Sequence, residues 1–247
     1  MKKNDFDWGW MLKESQSKIL YGENIIDLSD YHLQSMKNEI FERRIYEKFF
    51  EVEENDIVVD IGASVGPFTY SILEKKPRHV FCFEPSTEEF KTLIKNTIGF
   101  PVTPINKGFC CTNEKEFSDK IFSDQNYLEC INFDTFLDVY YSDTIDFLKM
   151  DCEGCEYKIF NKENLEWISN NVRKISGEWH LNTEETKKEF KIFRDNFLIN
   201  FDNFHVYSVD GVDIKWDLFN DHFLEYYTEI LIYIDNRIKV QSNHSTD

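Results

Sequence analysis

Short runs of apolar residues alternate along this chain with segments in which apolar positions recur at helical spacing. The continuous runs end at polar residues and predict strands over residues 57–59, 80–83, 102–105, 145–150, 172–179, 206–208 and 229–234. The helical spacing predicts helices over residues 30–52, 68–73, 86–98, 134–137, 153–161 and 183–198. Strands that alternate with helices indicate an α/β, Rossmann-like fold, with a mostly parallel sheet covered by helices on both faces.

The same pattern suggests how the chain is divided. Residues 1–52 are predicted to form a leader and a helix that pack on the core, and residues 53–240 one domain, since no repeat or Pro/Ser-rich linker interrupts them. Within that domain, residues 109–133 have the character of a β-hairpin insertion rather than a further helix. The polar residues 241–247 are predicted to be a disordered tail.

Charge narrows the classes of partner. The 46 acidic and 28 basic residues give a formal net charge of −18, which disfavours direct binding to nucleic acid or to an anionic membrane. No apolar run is long enough to span a membrane, and no signal-like segment follows Met1. We therefore expect a soluble, cytoplasmic protein that acts on a small-molecule or glycan partner and has six reduced cysteines. No pattern specifies an oligomeric state.

The most informative segment is a glycine-rich turn between two predicted strands. The first strand leads through Asp60 into this turn, and the second ends at Glu84, an acid about 20 residues further on, as in Rossmann-like units that bind a ribose. Pro67 stands where a dinucleotide-binding turn has its third glycine. The turn therefore suits S-adenosylmethionine (SAM) better than a dinucleotide, and Asp60 would face the ammonium of SAM. The predicted donor-site residues are Asp60, Gly62, Ala63, Ser64, Val65, Gly66, Phe68, Glu84 and Pro85.

Other strand ends contribute further polar residues. Asp151 follows the strand over residues 145–150, and Glu178 and His180 end the next one. Because ligands bind outside the carboxyl ends of parallel strands, we expect these side chains to converge with Asp60 and Glu84 on one edge of the sheet.

Two other interpretations of these motifs are weaker. Ser64 within Gly-x-Ser-x-Gly, followed by Asp151 and His180, has the chain order of an α/β-hydrolase triad, but neither earlier strands nor an oxyanion loop precede it. Cys152 and Cys155 have redox-pair spacing, and with residues 110–111 they offer four thiols, but the spacings fit no standard zinc site. Buried cysteines explain them better.

Several blocks resemble the FkbM family of SAM-dependent methyltransferases. They are V-D-I-G-A-S-V-G-P-F-T at 59–69, F-E-P at 83–85, N-F-D-T-F-L at 132–137, I-D-F-L-K-M-D-C-E-G-C-E at 145–156 and E-W-H at 178–180. The corresponding family blocks read roughly D-x-G-A-N-x-G-x-F-T, F-E-P, T-L-D-D-F-L, L-K-x-D-x-E-G-x-E and E-x-H. This chain departs at Ser64, where the family usually has Asn, and at Cys155, where it usually has Ala.

The resemblance implies a class I methyltransferase fold and, most often, O-methylation of a sugar or other small-molecule hydroxyl. Such a hydroxyl must lose a proton, and Asp151 is the first candidate for the base, with His180 second. Lys149 and Glu153 are predicted to hold substrate hydroxyls or to tune the base.

Alternatives remain open at this point. We expect no metal to be needed, although Asp151, Glu178 and His180 offer ligands for a divalent cation that would lower the pKa of the hydroxyl. Methylation of an RNA ribose with the help of a basic partner protein, and SAM binding without catalysis, are the other two alternatives.

Overall fold

The computed structural model describes residues 18–21, 24–27, 35–109, 130–139 and 144–237. The predicted tail and residues 110–129 of the predicted hairpin lie outside the described residues, as does most of the leader. No helix in these ranges is both long and apolar enough to cross a membrane. The predicted domain boundaries stay predictions.

Strands and helices alternate through the described core. The strands are β1 (Lys18–Tyr21), β2 (Asn24–Asp27), β3 (Ile57–Ile61), β4 (His79–Phe83), β5 (Val102–Ile105), β6 (Gly108–Phe109), β7 (Cys130–Ile131), β8 (Ile145–Met150), β9 (Val172–His180), β10 (Phe204–Ser208) and β11 (Glu229–Asp235). The α-helices are α1 (Pro67–Ile72), α2 (Thr87–Thr97), α3 (Phe133–Val139), α4 (Glu156–Ile159), α5 (Leu165–Asn171) and α6 (Glu184–Asn196).

Seven of these strands form one sheet in the order β10-β11-β9-β8-β3-β4-β5. Every neighbouring pair is parallel except the two that involve β11, so β11 alone runs in the opposite direction. Successive buried residues of a strand belong to different hydrophobic clusters, Val58 to one and Val59 to the other, because side chains alternate between the faces of a sheet. The predicted α/β, mostly parallel, two-faced architecture is confirmed.

The N-terminal helix predicted over residues 30–52 is wrong as a continuous element. One π-helical turn covers Asn38–Glu42, Arg44 then adopts the left-handed backbone conformation at φ 50°, and a 3-10 turn follows over Ile45–Glu47. A left-handed residue ends an α-helix because it turns the chain away from the helix axis. The break leaves Tyr46 buried against the sheet.

Two more elements differ from the prediction. Strands β6 and β7 pair in parallel, whereas the two arms of a hairpin pair antiparallel, so the described ends of the insertion do not form the predicted hairpin. The helix predicted from Glu153 begins only at Glu156, because Glu153 and Gly154 adopt left-handed conformations with φ 56° and 100°. That loop lies directly beyond the end of β8.

Strand register determines which polar residues meet at the carboxyl edge. Asp60 on β3 lies opposite Lys149 on β8, and His180 on β9 lies opposite Glu229 on β11. Strands β9, β8, β3 and β4 are consecutive neighbours, so the ends that carry His180, Asp151, the glycine turn and Glu84 lie side by side.

Candidate functional site

The glycine turn follows β3 and is built from left-handed residues. Gly62, Ser64 and Gly66 have φ values of 72°, 51° and 87°, and the amides of Gly62 and Ala63 donate to the carbonyl of Phe83 at 3.0 and 2.9 Å. A Cβ on Gly62 would lie 1.6 Å from the backbone oxygen of Asp151. Gly62 is therefore needed for contact with the neighbouring strand end, a reason that sequence reasoning, which considered only the ligand, did not find.

Asp60 and Lys149 form a buried ion pair beneath this turn. The Lys149 ammonium lies 3.1 Å from Asp60 Oδ1 and donates to the carbonyl oxygen of Gly62 at 2.7 Å, while the Thr69 hydroxyl donates to Asp60 Oδ2 at 2.7 Å. Burial lowers the pKa of Lys149, but the charges of Asp60 and Asp151 outweigh it and raise the pKa overall. The structure thus pairs Asp60, which was predicted to face the ammonium of SAM, with Lys149, which was predicted to hold hydroxyls of the acceptor or to tune the base.

Glu84 joins two loops at the end of β4. Its Oε2 accepts from the Ser64 amide at 2.8 Å, and its Oε1 accepts from the Ser86 amide at 2.7 Å. Burial and then the charge of Glu89 raise the pKa of Glu84 to about 8, against the opposing effect of the two amides. The carboxylate is fixed beside the glycine turn, as expected for a group that holds a ribose.

The other predicted donor residues contribute differently. Ala63, Val65 and Phe68 are buried, so the turn presents backbone rather than these side chains. Ser64 Oγ is buried and has no hydrogen-bond partner among the residues described. Pro85 packs beside Gly108, at 3.5 Å from the position of a Cβ there.

Asp151 lies immediately beyond β8. Its amide donates to the carbonyl of Ile61 at 3.0 Å, which continues the β3–β8 pairing, and its side chain is 31% exposed. Its Oδ2 accepts a hydrogen bond from the Tyr46 hydroxyl at 2.8 Å. The other oxygen, Oδ1, faces His180 Nε2 at 3.9 Å, beyond direct hydrogen-bond distance.

His180 lies among several carboxylates. Its Nδ1 donates to the fully buried Glu156 at 2.9 Å, and its Nε2 lies 3.5 Å from Glu153 Oε2. Burial lowers the pKa of His180, but the hydrogen bond and charge of Glu156, with the charges of Asp151 and Glu153, raise it to about 10. The imidazole is therefore protonated at neutral pH.

A second carboxyl pair lies at the same edge. Burial and then the charge of Asp151 raise the pKa of Glu178 to about 9, and the neighbouring Glu229 adds to this increase. Single ligand atoms of Asp151, Glu153 and His180 lie within 4.8 Å of one another, and so do those of Glu178, His180 and Glu229. Either set has the donor types of a metal site.

Glu156 organises the loop between Asp151 and α4. Its Oε1 accepts from the amides of Cys152 and Gly154, both at 3.2 Å, in addition to His180. The Cys152 thiol lies 3.6 Å from the same oxygen, and burial raises its pKa well above the usual value. A thiol that resists deprotonation is a poor redox nucleophile.

Three residues of this site were not predicted from the sequence. Tyr46 belongs to the helix that the structure breaks, and no glycine or proline marks the break. Glu156 closes the D-x-E-G-x-E block but had no role assigned to it. Glu229 begins a strand that joins β9 antiparallel, and only that pairing places it opposite His180.

Comparison with known proteins gives a family match. The model described as the methyltransferase FkbM domain matches residues 60–209, which runs from Asp60 on β3 to the end of β10. Among curated proteins, none matches the sequence significantly.

Solved structures show weaker likenesses. An rRNA methylase from Streptococcus thermophilus is 11% identical, with a TM-score of 0.43 over 74% of this chain and 88% of that one. The plantazolicin methyltransferase BpumL in complex with SAH is 12% identical, with a TM-score of 0.44 over 83% and 84%. M. jannaschii TYW2 in complex with AdoMet is 14% identical, with a TM-score of 0.41 over 88% of each. Likeness at this level carries no argument about substrate.

Proposed function

This chain belongs to the FkbM methyltransferase family, whose domain covers more than half of its length, and we propose that it transfers the methyl group of SAM to a hydroxyl of a sugar or another small molecule. The product would be a methyl ether of the kind made in glycan or natural-product biosynthesis. The observation that carries the proposal is the close backbone contact between Gly62 and Asp151. It puts the glycine turn, which we assign to SAM, directly beside the residue that carries the Asp151 carboxylate.

The donor half of the proposal rests on Glu84 and the glycine turn. Glu84 accepts the Ser64 amide and still has lone pairs for the two ribose hydroxyls. The donor's ammonium was expected to face Asp60, but Asp60 is fully buried with Lys149 and Thr69 as partners. We therefore infer that Asp60 supports the turn from beneath and acts on the donor only through its charge.

The acceptor half rests on Asp151. Methyl transfer is an in-line displacement at sulfur, so positioning supplies much of the rate, and the attacking hydroxyl must also lose its proton. Asp151 is partly exposed beside the donor turn, and one of its carboxylate oxygens has no hydrogen bond in the described part of the chain. His180 is already protonated at neutral pH, which leaves Asp151 as the better proton acceptor.

Methyl transfer can be tested directly. The purified protein would be incubated with SAM carrying a ¹³C methyl group and with a panel of methyl glycosides, with glucosamine as a contrast that offers nitrogen. We expect a new ¹³C-methyl ether signal in the product. Methylation of the glucosamine nitrogen, with no ether formed on any glycoside, would contradict O-methylation.

Removal of metal is expected to leave activity largely intact. A carboxylate within reach of a hydroxyl suffices as a base, so no Lewis acid is required. The measurement is turnover before and after dialysis against a strong chelator. Complete loss that magnesium or another divalent ion restores would instead indicate a metal. The structure groups the ligands as Asp151, Glu153 and His180 or as Glu178, His180 and Glu229, and not as the predicted set of Asp151, Glu178 and His180.

Donor affinity should depend on pH through Glu84. Ribose hydroxyls donate to the carboxylate form, so affinity should rise as pH increases toward and through about 8, the raised pKa of this group. Below pH 8 we expect the affinity for the donor to fall by up to about tenfold for each pH unit. Calorimetry with S-adenosylhomocysteine between pH 6 and 8.5 measures it, and Glu84→Gln should abolish the dependence. A flat profile in the unaltered protein would count against a ribose-binding Glu84.

A further inference from the structure

Tyr46 lies outside the region matched by the family model, yet it contacts the centre of the site. The residue is 4% exposed, and its hydroxyl donates to Asp151 Oδ2 at 2.8 Å. Burial, followed by the charges of Asp151 and Glu178, raises the pKa of Tyr46 well above its usual value. The hydroxyl therefore keeps its proton and remains a donor to the carboxylate.

The turn that carries Tyr46 is anchored on both sides. The Tyr233 hydroxyl on β11 donates to the carbonyl of Ile45 at 2.7 Å. The Glu47 carboxylate accepts from the Lys75 ammonium at 2.6 Å and from the Val52 amide at 2.9 Å. Because three consecutive residues are bound to three different parts of the fold, the position of the Tyr46 hydroxyl is closely defined.

The ring of Tyr46 touches the donor side of the site as well. It packs edge-on against Phe68 in α1, with ring centroids 5.7 Å apart, and the Lys149 ammonium lies 5.1 Å from its centroid. Tyr46 thus contacts the helix that follows the glycine turn, the buried ion pair beneath that turn, and Asp151.

We propose that Tyr46 is a positioning residue for methyl transfer, which binds one oxygen of the Asp151 carboxylate and thereby directs the other toward the acceptor hydroxyl. This inference rests on the proposed role of Asp151 as proton acceptor. Aligning a base within the narrow geometry of a displacement reaction is a recognised source of rate. A hydrogen bond to the charged carboxylate also favours its ionised form.

Tyr233 offers a matched control. Its hydroxyl is also buried and steadies the same turn, but it bonds to the Ile45 carbonyl and not to Asp151. Tyr46→Phe and Tyr233→Phe each remove one buried hydroxyl of the same kind. A purely structural role for Tyr46 predicts that both variants lose stability and that neither changes the pH dependence of catalysis.

The test compares both variants with the unaltered protein, using the best methyl glycoside from the acceptor panel. For Tyr46→Phe we expect kcat to fall about tenfold, the size associated with a hydrogen bond to a charged group. The acid limb of the kcat profile should move to higher pH, with the acceptor KM and the SAM Kd within about twofold. Tyr233→Phe should leave the acid limb in place.

The two variants can also be compared by a measurement that needs no acceptor substrate. In protein labelled with ¹³C-carboxyl aspartate, the signal that Asp151→Asn removes can be followed against pH. It should titrate at higher pH in Tyr46→Phe than in the unaltered protein or Tyr233→Phe. If Tyr46→Phe does not fold, 3,5-difluorotyrosine at position 46 keeps the shape with a stronger donor, and the titration should then move to lower pH.

The outcomes separate this inference from the proposed function. If Asp151→Asn is impaired but Tyr46→Phe keeps its rate and acid limb, Tyr46 has no positioning role. If Tyr46→Phe lowers kcat further in the Asp151→Asn background, it does not act through Asp151, and the inference is also overturned. If Asp151→Asn itself retains full turnover, the proposed proton acceptor is wrong.

Discussion

Replacing Asp151 by Asn should lower the turnover of methyl transfer by about 10²- to 10⁴-fold, the usual contribution of a general base. The amide keeps the size of the carboxylate and can still accept the Tyr46 hydroxyl, so the fold should be preserved. It cannot accept the proton of the acceptor. SAM affinity should stay within about twofold, because the Asp151 side chain is assigned no contact with the ribose.

The measurement is kcat by product formation, with SAM titrated by calorimetry on the same preparation. His180→Gln is the companion variant. With its pKa near 10, His180 carries a proton already, so we expect a smaller loss of turnover than for Asp151→Asn. A larger loss in His180→Gln would transfer the role of base to His180, the second candidate from the sequence. Turnover close to that of the unaltered protein in both variants would remove both from the mechanism.

Above pH 8, where Glu84 is ionised, replacing it by Ala should weaken SAM binding by roughly 10- to 150-fold, which corresponds to about 1.5–3 kcal/mol for charge-assisted hydrogen bonds to two ribose hydroxyls. S-adenosylhomocysteine should lose affinity equally, since it carries the same ribose. For the unaltered protein we expect micromolar affinity for both ligands and at least a hundredfold weaker binding of NAD, because the turn lacks the third glycine of a dinucleotide site.

Controls are needed because Glu84 also binds the Ser64 and Ser86 amides. Glu84→Gln keeps an oxygen acceptor and separates the loss of charge from collapse of the loops. Glu88→Ala removes a side chain that is 74% exposed on α2, and should leave SAM affinity unchanged. NAD binding that equals or exceeds SAM binding would refute the assignment of the donor. Undiminished SAM affinity in Glu84→Ala would refute the role of Glu84.

The parts of the site that could be predicted are those marked by the ends of apolar runs. Glu84 and Asp151 follow buried strands directly, and parallel strands bring such ends to one edge. A strand end of this kind is visible in the local sequence, because the apolar run stops at a polar residue. Both residues lie where the sequence placed them, although their chemical roles stay predictions.

Register could not be predicted in the same way. Asp60 meets Lys149 because β3 pairs with β8 at one particular offset, and neither strand encodes that offset by itself. Sequence reasoning therefore assigned Asp60 to the donor and Lys149 to the acceptor. Their pairing satisfies two buried charges at once, which is the condition for burying either of them.

Backbone conformation was the other source of error. Arg44 and Glu153 are left-handed without being glycine, at φ 50° and 56°. Such residues carry no signal in the hydrophobic pattern, and they are strained unless their surroundings hold them. Arg44 ends the predicted N-terminal helix before Tyr46. Glu153 prevents α4 from beginning before Glu156, and its own side chain lies beside His180.

The contact between Gly62 and the Asp151 carbonyl has a consequence for protein engineering. Only hydrogen fits at that position, so any loop grafted between β3 and α1 must keep a glycine at position 62. The contact is made by main-chain atoms on both sides, so the side chains around it can be varied while the close approach of the two strand ends is retained. A loop library for altering specificity should therefore hold residue 62 fixed and vary its neighbours.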